Sequence, residues 1–350
     1  MSIAQITPFR QMARAYSALL GINESLHGLH GTAKTVAVES SATNARLAAE
    51  VSELRARLEM LEGDIEARIS RSIRDHLFLP QPSRSYDSPF LPYSTCSASD
   101  FLHPRYAEIC GLLDHRVQFH RKLWEWVFIF HHLEQAGVLK EESRGLGFGV
   151  GQERMPSVFA SCGAAIVATD APPEIGVSSG WTETGQHSDS LGELYYPTLV
   201  DKDVFDAKVS HRFEDMNAIS ADLTGFDFTW SACCFEHLGS LEAGMQFVVN
   251  SLNTLKPGGV AVHTTEFNLS SNDDTIATGH TVLYRRRDME ELVSRLEKLG
   301  HEVSPFIVAP DSHFLDGYVD LPPYADEPSL KIKFGEFVTT SVGIVVRKRG

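Results

Sequence analysis

Residues 143–170, SRGLGFGVGQERMPSVFASCGAAIVATD, read as strand, glycine loop, helix, second strand and a closing acid. Gly147, Gly149 and Gly151 alternate with Phe148 and Val150, so the chain leaves its strand without Cβ atoms where a ligand must touch backbone. The pattern turns helical over 156–160, and 164–168 is a short apolar run suited to a buried parallel strand. Asp170 follows at once. In a βαβ unit that acid lies beside the glycine turn, where it can accept hydrogen bonds from both ribose hydroxyls of a nucleoside.

The glycine spacing narrows the choice of nucleoside. A dinucleotide loop needs G-x-G-x-x-G, but counting from Gly147 the third position is Gln152, and counting from Gly149 it is Arg154. That weakens a nicotinamide-dependent oxidoreductase. Three later segments add to the pattern. Residues 208–213 read as a third strand followed by Glu214, Asp215, Met216 and Asn217; FDFTWS (226–231) leads as a fourth strand into ACCFEHLG (232–239); and LKPGG (255–259) turns a helix into a fifth strand over 260–265. With the G-x-G-x-G loop, this order resembles the class I S-adenosylmethionine-dependent methyltransferases over roughly residues 139–303.

The resemblance implies an α/β fold: a Rossmann-like, seven-stranded methyltransferase sheet with helices on both faces, the last strand inserted antiparallel. Strands six and seven are expected at 302–308 and 336–347, and helices at 114–136, 246–255 and 288–300. S-adenosylmethionine is the implied cofactor and S-adenosylhomocysteine the product. Gly147, Phe148, Gly149, Val150 and Gly151 are implied to hold it, with Asp170 on the ribose, Asp215 and Met216 on the adenine, and Ser231 near the methionine part. The family commonly carries an acid two residues before the first glycine, to organise the loop and the cofactor's amino group. Here that position is Gly145. Glu153 is the candidate replacement.

Methyl transfer to a hydroxyl needs a base, and a neutral imidazole is suited to it. His237, just after the fourth strand, stands where sugar and small-molecule O-methyltransferases often present one. Glu266, in HTTEFN (263–268), is a second candidate base or a hydroxyl-binding group, because alternation puts Thr264 and Glu266 on the strand face opposite His263 and Thr265. Asn268 should reach the same cleft. Glu266, Asp273 and Asp274 could supply oxygens for Mg²⁺, against the plainer reading of solvated loop acids, and no metal site is assigned. Trp181, Glu183, Gln186 and His187, in the polar insertion 172–203, are candidate substrate or lid contacts. Arg285, first of three consecutive arginines, either grips a phosphate or carboxylate or makes ordinary surface pairs with Asp288 and Glu290. Arg121, Lys122, Trp124 and Trp126 either wall a ligand pocket or pack in the core.

The chain has 350 residues and 43% hydrophobic content, enough for one large domain with an extension. Its formal charge of -15 disfavours nucleic acid or anionic membrane as a partner. Five cysteines without a C-x-x-C pair fit reduced cytoplasm, and no run is long enough to insert stably in a bilayer. Residues 1–78 read as an N-terminal helical and coiled-coil region, 79–100 as a Pro/Ser-rich linker and 101–350 as the methyltransferase domain. Residues 8–20 form a modest amphipathic helix. Leu47, Val51, Leu54, Leu58, Leu61 and Ile65 recur at alternating steps of four and three, the pattern of a coiled-coil seam. Such a helix either joins copies into a homo-oligomer or packs back on its own subunit. The expected activity is O-methylation of a small-molecule or glycan acceptor, such as a sugar. Transfer to nitrogen or carbon, or a non-catalytic assembly module on the same fold, are the alternatives.

Overall fold

A computed structural model describes residues 17–29, 41–75, 88–172 and 191–350. Trp181, Glu183, Gln186 and His187, and the first part of the expected helix at 8–20, lie outside the described residues. The chain divides into two compact units, Met1–Leu77 with Leu321–Pro323, and Phe78–Asp320 with Tyr324–Gly350. Among the described residues no helix is long and apolar enough to cross a membrane.

In the first unit, helix α1 (residues 17–29) precedes α2 (Ser41–Asp75). The heptad seam of α2 is divided: Leu58 and Ile65 pack against Leu19 and Leu26 of α1, whereas Leu54 and Leu61 are exposed. Part of that seam is therefore satisfied within one chain.

In the second unit, short helices α3 (Ala98–Leu102) and α4 (Pro104–Leu112) lead to α5 (Arg121–Gln135). The βαβ unit follows as β1 (Arg144–Phe148), α6 (Met155–Ser161) and β2 (Ala165–Asp170). Next come α7 (Lys202–Lys208), β3 (Val209–Phe213), β4 (Phe226–Ala232), α8 (Leu241–Ser251) and β5 (Leu255–Asn268). The chain ends with α9 (Arg286–Lys298), β6 (Glu302–Val303), β7 (Ile332–Phe334) and β8 (Phe337–Arg347). The sheet order is β3-β2-β1-β4-β5-β8-β6, with β7 also paired to β8. The first five strands run parallel, and β8 lies antiparallel between β5 and β6. The antiparallel insertion of the last strand is what the resemblance implies.

Sequence alternation builds the two faces of the sheet. Leu146 and Phe148 of β1 point to one side, where Phe247, Val248, Met289 and Leu292 of α8 and α9 join them. Gly145 and Gly147 point to the other. They stand in register with Phe228 and Trp230 of β4. A Cβ on Gly145 would overlap the Phe228 ring, and one on Gly147 would overlap the Trp230 indole. The two glycines thus make room for two aromatics, which pack with α5 and α6 in the second layer.

Four differences from the expected elements have local causes. Helix α5 begins at Arg121 rather than near 114, because the chain before it pairs with Ser329: Ser329 N donates to the Phe119 carbonyl and Arg121 N to that of Ser329. Ser240 starts α8 ahead of the expected residue 246 by accepting from Ala243 N at 3.1 Å. Strand β6 is only two residues long, since Ser94 and Cys96, within the expected linker, hydrogen-bond Gly343, Ser341 and Ile307 and take over that side of β8. Strand β7 was not expected, and it makes the sheet eight-stranded.

Candidate functional site

The strand order reverses between β1 and β4, and ligands of open α/β sheets bind in the crevice outside the carboxyl ends at such a point. Three cavities open there. A narrow one of about 60 Å³ is lined by Gly149, Asp170, Asp215, Met216, Cys234 and His237, with Glu214 among its neighbours. A second, of about 260 Å³, lies under the glycine loop against Lys122, Glu125, Trp126, Gly151, Glu153 and Cys233. A third, also about 260 Å³, is walled by Arg121, Glu236, His237, Glu266, Tyr324 and Phe334. Shared residues join them. Gly149 borders the first and second, Lys122 and Cys233 the second and third, and His237 the first and third.

The glycine loop has the shape its residues require. Gly149 and Gly151 hold φ at +57° and +52°, a left-handed backbone that costs an L side chain free energy. A Cβ on Gly149 would also meet Cys234 at 3.0 Å. Val150 is buried in the α5–α6 layer and its N–H donates to the Thr169 carbonyl, while Phe148 is buried edge-on against Phe247. Both shape the loop from beneath.

Asp170 ends β2 with 1% exposure, and Ala171 N donates to its Oδ1 at 2.8 Å. Asp215 accepts from Asn217 N at 2.8 Å, so it closes its own turn while lining the narrow cavity beside buried Met216. These two acids, one ending β2 and the other in the turn after neighbouring β3, line the same narrow cavity. Glu214 next to them is tied to Arg212 at 3.0 Å and to Ser220 N.

The third cavity is built on a buried ionic network. From α5, Arg121 reaches Glu266 at 2.5 Å, and Lys122 lies 3.3 Å from Glu266, 3.4 Å from Glu125 and in contact with Cys233 Sγ. Cys233 Sγ donates to Glu236 at 2.6 Å, and Thr265 Oγ1 donates to the other Glu236 oxygen at 2.8 Å. Burial alone would raise the Glu266 carboxyl, but Arg121 and Lys122 together hold it well below the carboxylate range. Both cations stay charged across the working pH range. Burial, with Glu125 and Glu236 close by, pushes the Cys233 thiol far up, so it stays protonated. Glu266 is thus a locked anion that can accept a hydroxyl's hydrogen bond but has little affinity for its proton, which favours the hydroxyl-binding role over that of base.

His237 Nδ1 lies 2.7 Å from the His280 carbonyl, which assigns the proton to Nδ1 and leaves Nε2 as the acceptor. Its side chain is 27% exposed, and Nε2 is 3.9 Å from Glu236. Among the described residues, Cys233, Glu236 and Glu266 bring possible metal-ligand atoms within 4.8 Å of one another. The Lys122 ammonium already sits against Cys233 Sγ and Glu266, where it compensates the carboxylate's charge. Asp273 belongs instead to the 270–275 loop, paired with Arg287.

Several expected site residues are spent on structure. Ser231 is fully buried on the α8 side, its Oγ 2.8 Å from His263 Nδ1, with Ser251 Oγ 3.1 Å from the other ring nitrogen. Burial pushes His263 down to about 3, so this link holds a neutral ring in the core. Asn268 holds the following loop through Ser270 N, Ser271 N and the Asp274 carbonyl. Arg285 is neither on a strand nor in a cavity: it caps α9, with Asp288 at 2.7 Å and the Asp273 carbonyl at 2.6 Å. Trp124 is fully buried, donating to Asp100, whereas Arg121, Lys122 and Trp126 do wall cavities.

Sequence reasoning missed Glu125 and Cys233 as cavity residues. The spacing of Arg121, Lys122 and Glu125 on one helix held a signal, since residues three and four apart share a face. The left-handed turn at Cys233 (φ 52°) carries no such mark, because it is a non-glycine residue.

No family model matches the chain, and no curated protein matches it. Among solved structures it is similar to an S-adenosylmethionine-dependent methyltransferase from Clostridium acetobutylicum, at 13% identity and TM-score 0.36 over 70% of this chain and 98% of that one. It is also similar to one from Methanosarcina mazei, at 13% identity and TM-score 0.36 over 63% and 97%. The DhpI protein in complex with S-adenosylhomocysteine superposes at TM-score 0.34, with 15% identity over 65% and 91%. Likeness at this level assigns no residue a role.

Proposed function

We propose that the chain is an S-adenosylmethionine-dependent methyltransferase acting on oxygen of a small polyhydroxylated acceptor, such as a sugar or glycan intermediate. The observation that carries this is the convergence of three cavities on His237, Cys233 and Gly149. The residues present fit the cofactor: a bare glycine turn for close backbone approach, Asp170 for a ribose diol, and the Asp215–Met216 edge for adenine. When bound, the cofactor supplies an activated methyl group on sulfonium.

The remaining work belongs to the protein. Glu266, Thr281 and Tyr324 line the acceptor cavity and can orient hydroxyl groups, with Phe334 offering an apolar face for a sugar ring. His237 Nε2 then takes the proton from the attacking hydroxyl, and the His280 carbonyl steadies the imidazolium through Nδ1–H.

Transfer of label from methyl-labelled S-adenosylmethionine to a panel of sugars and polyols tests the reading. Incorporation is expected with at least one acceptor, and none across the panel would count against it. In His237→Ala, S-adenosylhomocysteine affinity should stay within about twofold while turnover falls about a hundredfold. Unchanged turnover removes the base role.

A further inference from the structure

Gly145 leaves the glycine strand without its usual acid, and the packing forbids one there, since any Cβ at 145 meets Phe228 and comes within 2.9 Å of Ile166 Cδ1. The next large residue on the same face of β4, Trp230, does the opposite for residue 153: its indole N–H donates to Glu153 Oε1 at 2.6 Å. The aromatic pair that closes one position to an acid thus holds a carboxyl just past the loop. We propose that Glu153 is the counter-ion for the cofactor's α-ammonium group, a role that rests on the cofactor reading above.

Three observations support this assignment. Glu153 is 5% exposed, yet it lines the cavity that Gly149, Val150 and Gly151 also border, which is separate from the one lined by Asp170 and Asp215. If adenosine occupies the narrow cavity, the amino-acid end has this neighbouring space to enter. Second, the other buried acid in that cavity, Glu125, is already committed: Ser341 Oγ donates to it at 2.5 Å, Thr264 Oγ1 at 2.9 Å, and Lys122 lies at 3.4 Å. Glu153 has, among the described residues, the indole as its hydrogen-bonding partner. Third, a buried carboxyl with no cation against it resists ionisation. Burial pushes Glu153 up to about 8 although Trp230 opposes this, and Asp170 and Glu125 push the same way.

The charged and titratable groups around it are Asp170 on β2, Glu125 and Lys122 on α5, the Cys233 and Cys234 thiols after β4, and Arg154 and Tyr196, the last two stacked together. Arg154 is directed to Asp114 and the Asp114 carbonyl, which leaves an incoming ammonium as the natural partner. Binding would convert the acid to carboxylate and release its proton to buffer. Affinity for an ammonium-bearing ligand should therefore rise with pH, by up to about tenfold per unit below pH 8, until the ligand's own ammonium starts to lose its proton.

Calorimetric titration with two ligands tests the proposal: S-adenosylhomocysteine, and the adenosyl thioether that carries butyrate in place of homocysteine and so lacks only the amino group. Glu153→Gln keeps an acceptor for the Trp230 N–H and removes the charge. It should weaken S-adenosylhomocysteine about thirtyfold and abolish its pH dependence, while the desamino analogue changes by less than about twofold. Equal loss for both ligands, or no loss for S-adenosylhomocysteine, overturns the assignment. Wild-type protein that binds neither ligand overturns the cofactor reading itself, and the assignment with it.

Discussion

Gly145→Asp, the change that restores the acid usual in such loops, should leave little folded protein. Its Cβ would overlap the Phe228 ring and press on Ile166, and its carboxylate would enter an apolar layer with no cation beside it. Overpacking of this kind costs about 1–3 kcal/mol, and an uncompensated buried polar or charged group adds several more. The sum approaches the total stability of an ordinary domain, about 5–15 kcal/mol. Urea unfolding of the soluble fraction provides the measurement. Gly145→Ala should be destabilised less, and Phe228→Leu, which shortens the opposing side chain, should recover part of that loss. A Gly145→Asp protein with wild-type stability would refute the packing account.

The second large effect is expected at Arg121→Met. Arg121 and Glu266 are 7% and 6% exposed, and the guanidinium is the nearest cation to that carboxylate. Methionine fills comparable space but strands Glu266 with only the half-exposed Lys122, whose ammonium also serves Glu125 and Cys233. Breaking a buried pair by removing one partner costs about 3–5 kcal/mol. Pairing the change with Glu266→Gln should return a substantial part, because the uncompensated charge is then gone. Equal stability of Arg121→Met and wild type would mean that water or Lys122 already neutralises Glu266.

How much of this was legible in the sequence follows from the range of the interactions. The glycine loop and Asp170 are fixed by spacing and alternation within one βαβ unit, and the turn at Asp215 is local to the end of β3. The mostly parallel sheet with its antiparallel last strand followed from the resemblance. Edge pairing did not, because the hydrogen bonds of Ser94 and Cys96 to β8, and the pairing of β7 with β8, depend on partners brought together by the fold. Ser231 was misplaced for a simpler reason. Alternation along β4 turns it toward α8 and His263, and position near a strand's end does not by itself put a side chain at the rim. Arg285 takes the plainer of its two readings, pairing with Asp288, which at the third helical position completes a capping box. Glu153 shows the converse: its presence could be noticed early, but its tie to Trp230 joins residues 77 apart in sequence and is visible only in three dimensions.

The most direct test of the central claim is a crystal structure of the protein with S-adenosylhomocysteine. The ribose hydroxyls should lie on the Asp170 carboxylate, the adenine against Asp215 and Met216, and the sulfur beside the turn from Cys234 to His237. Ligand bound elsewhere, or Asp170 and Asp215 turned away from an unliganded crevice at saturating concentration, would contradict it.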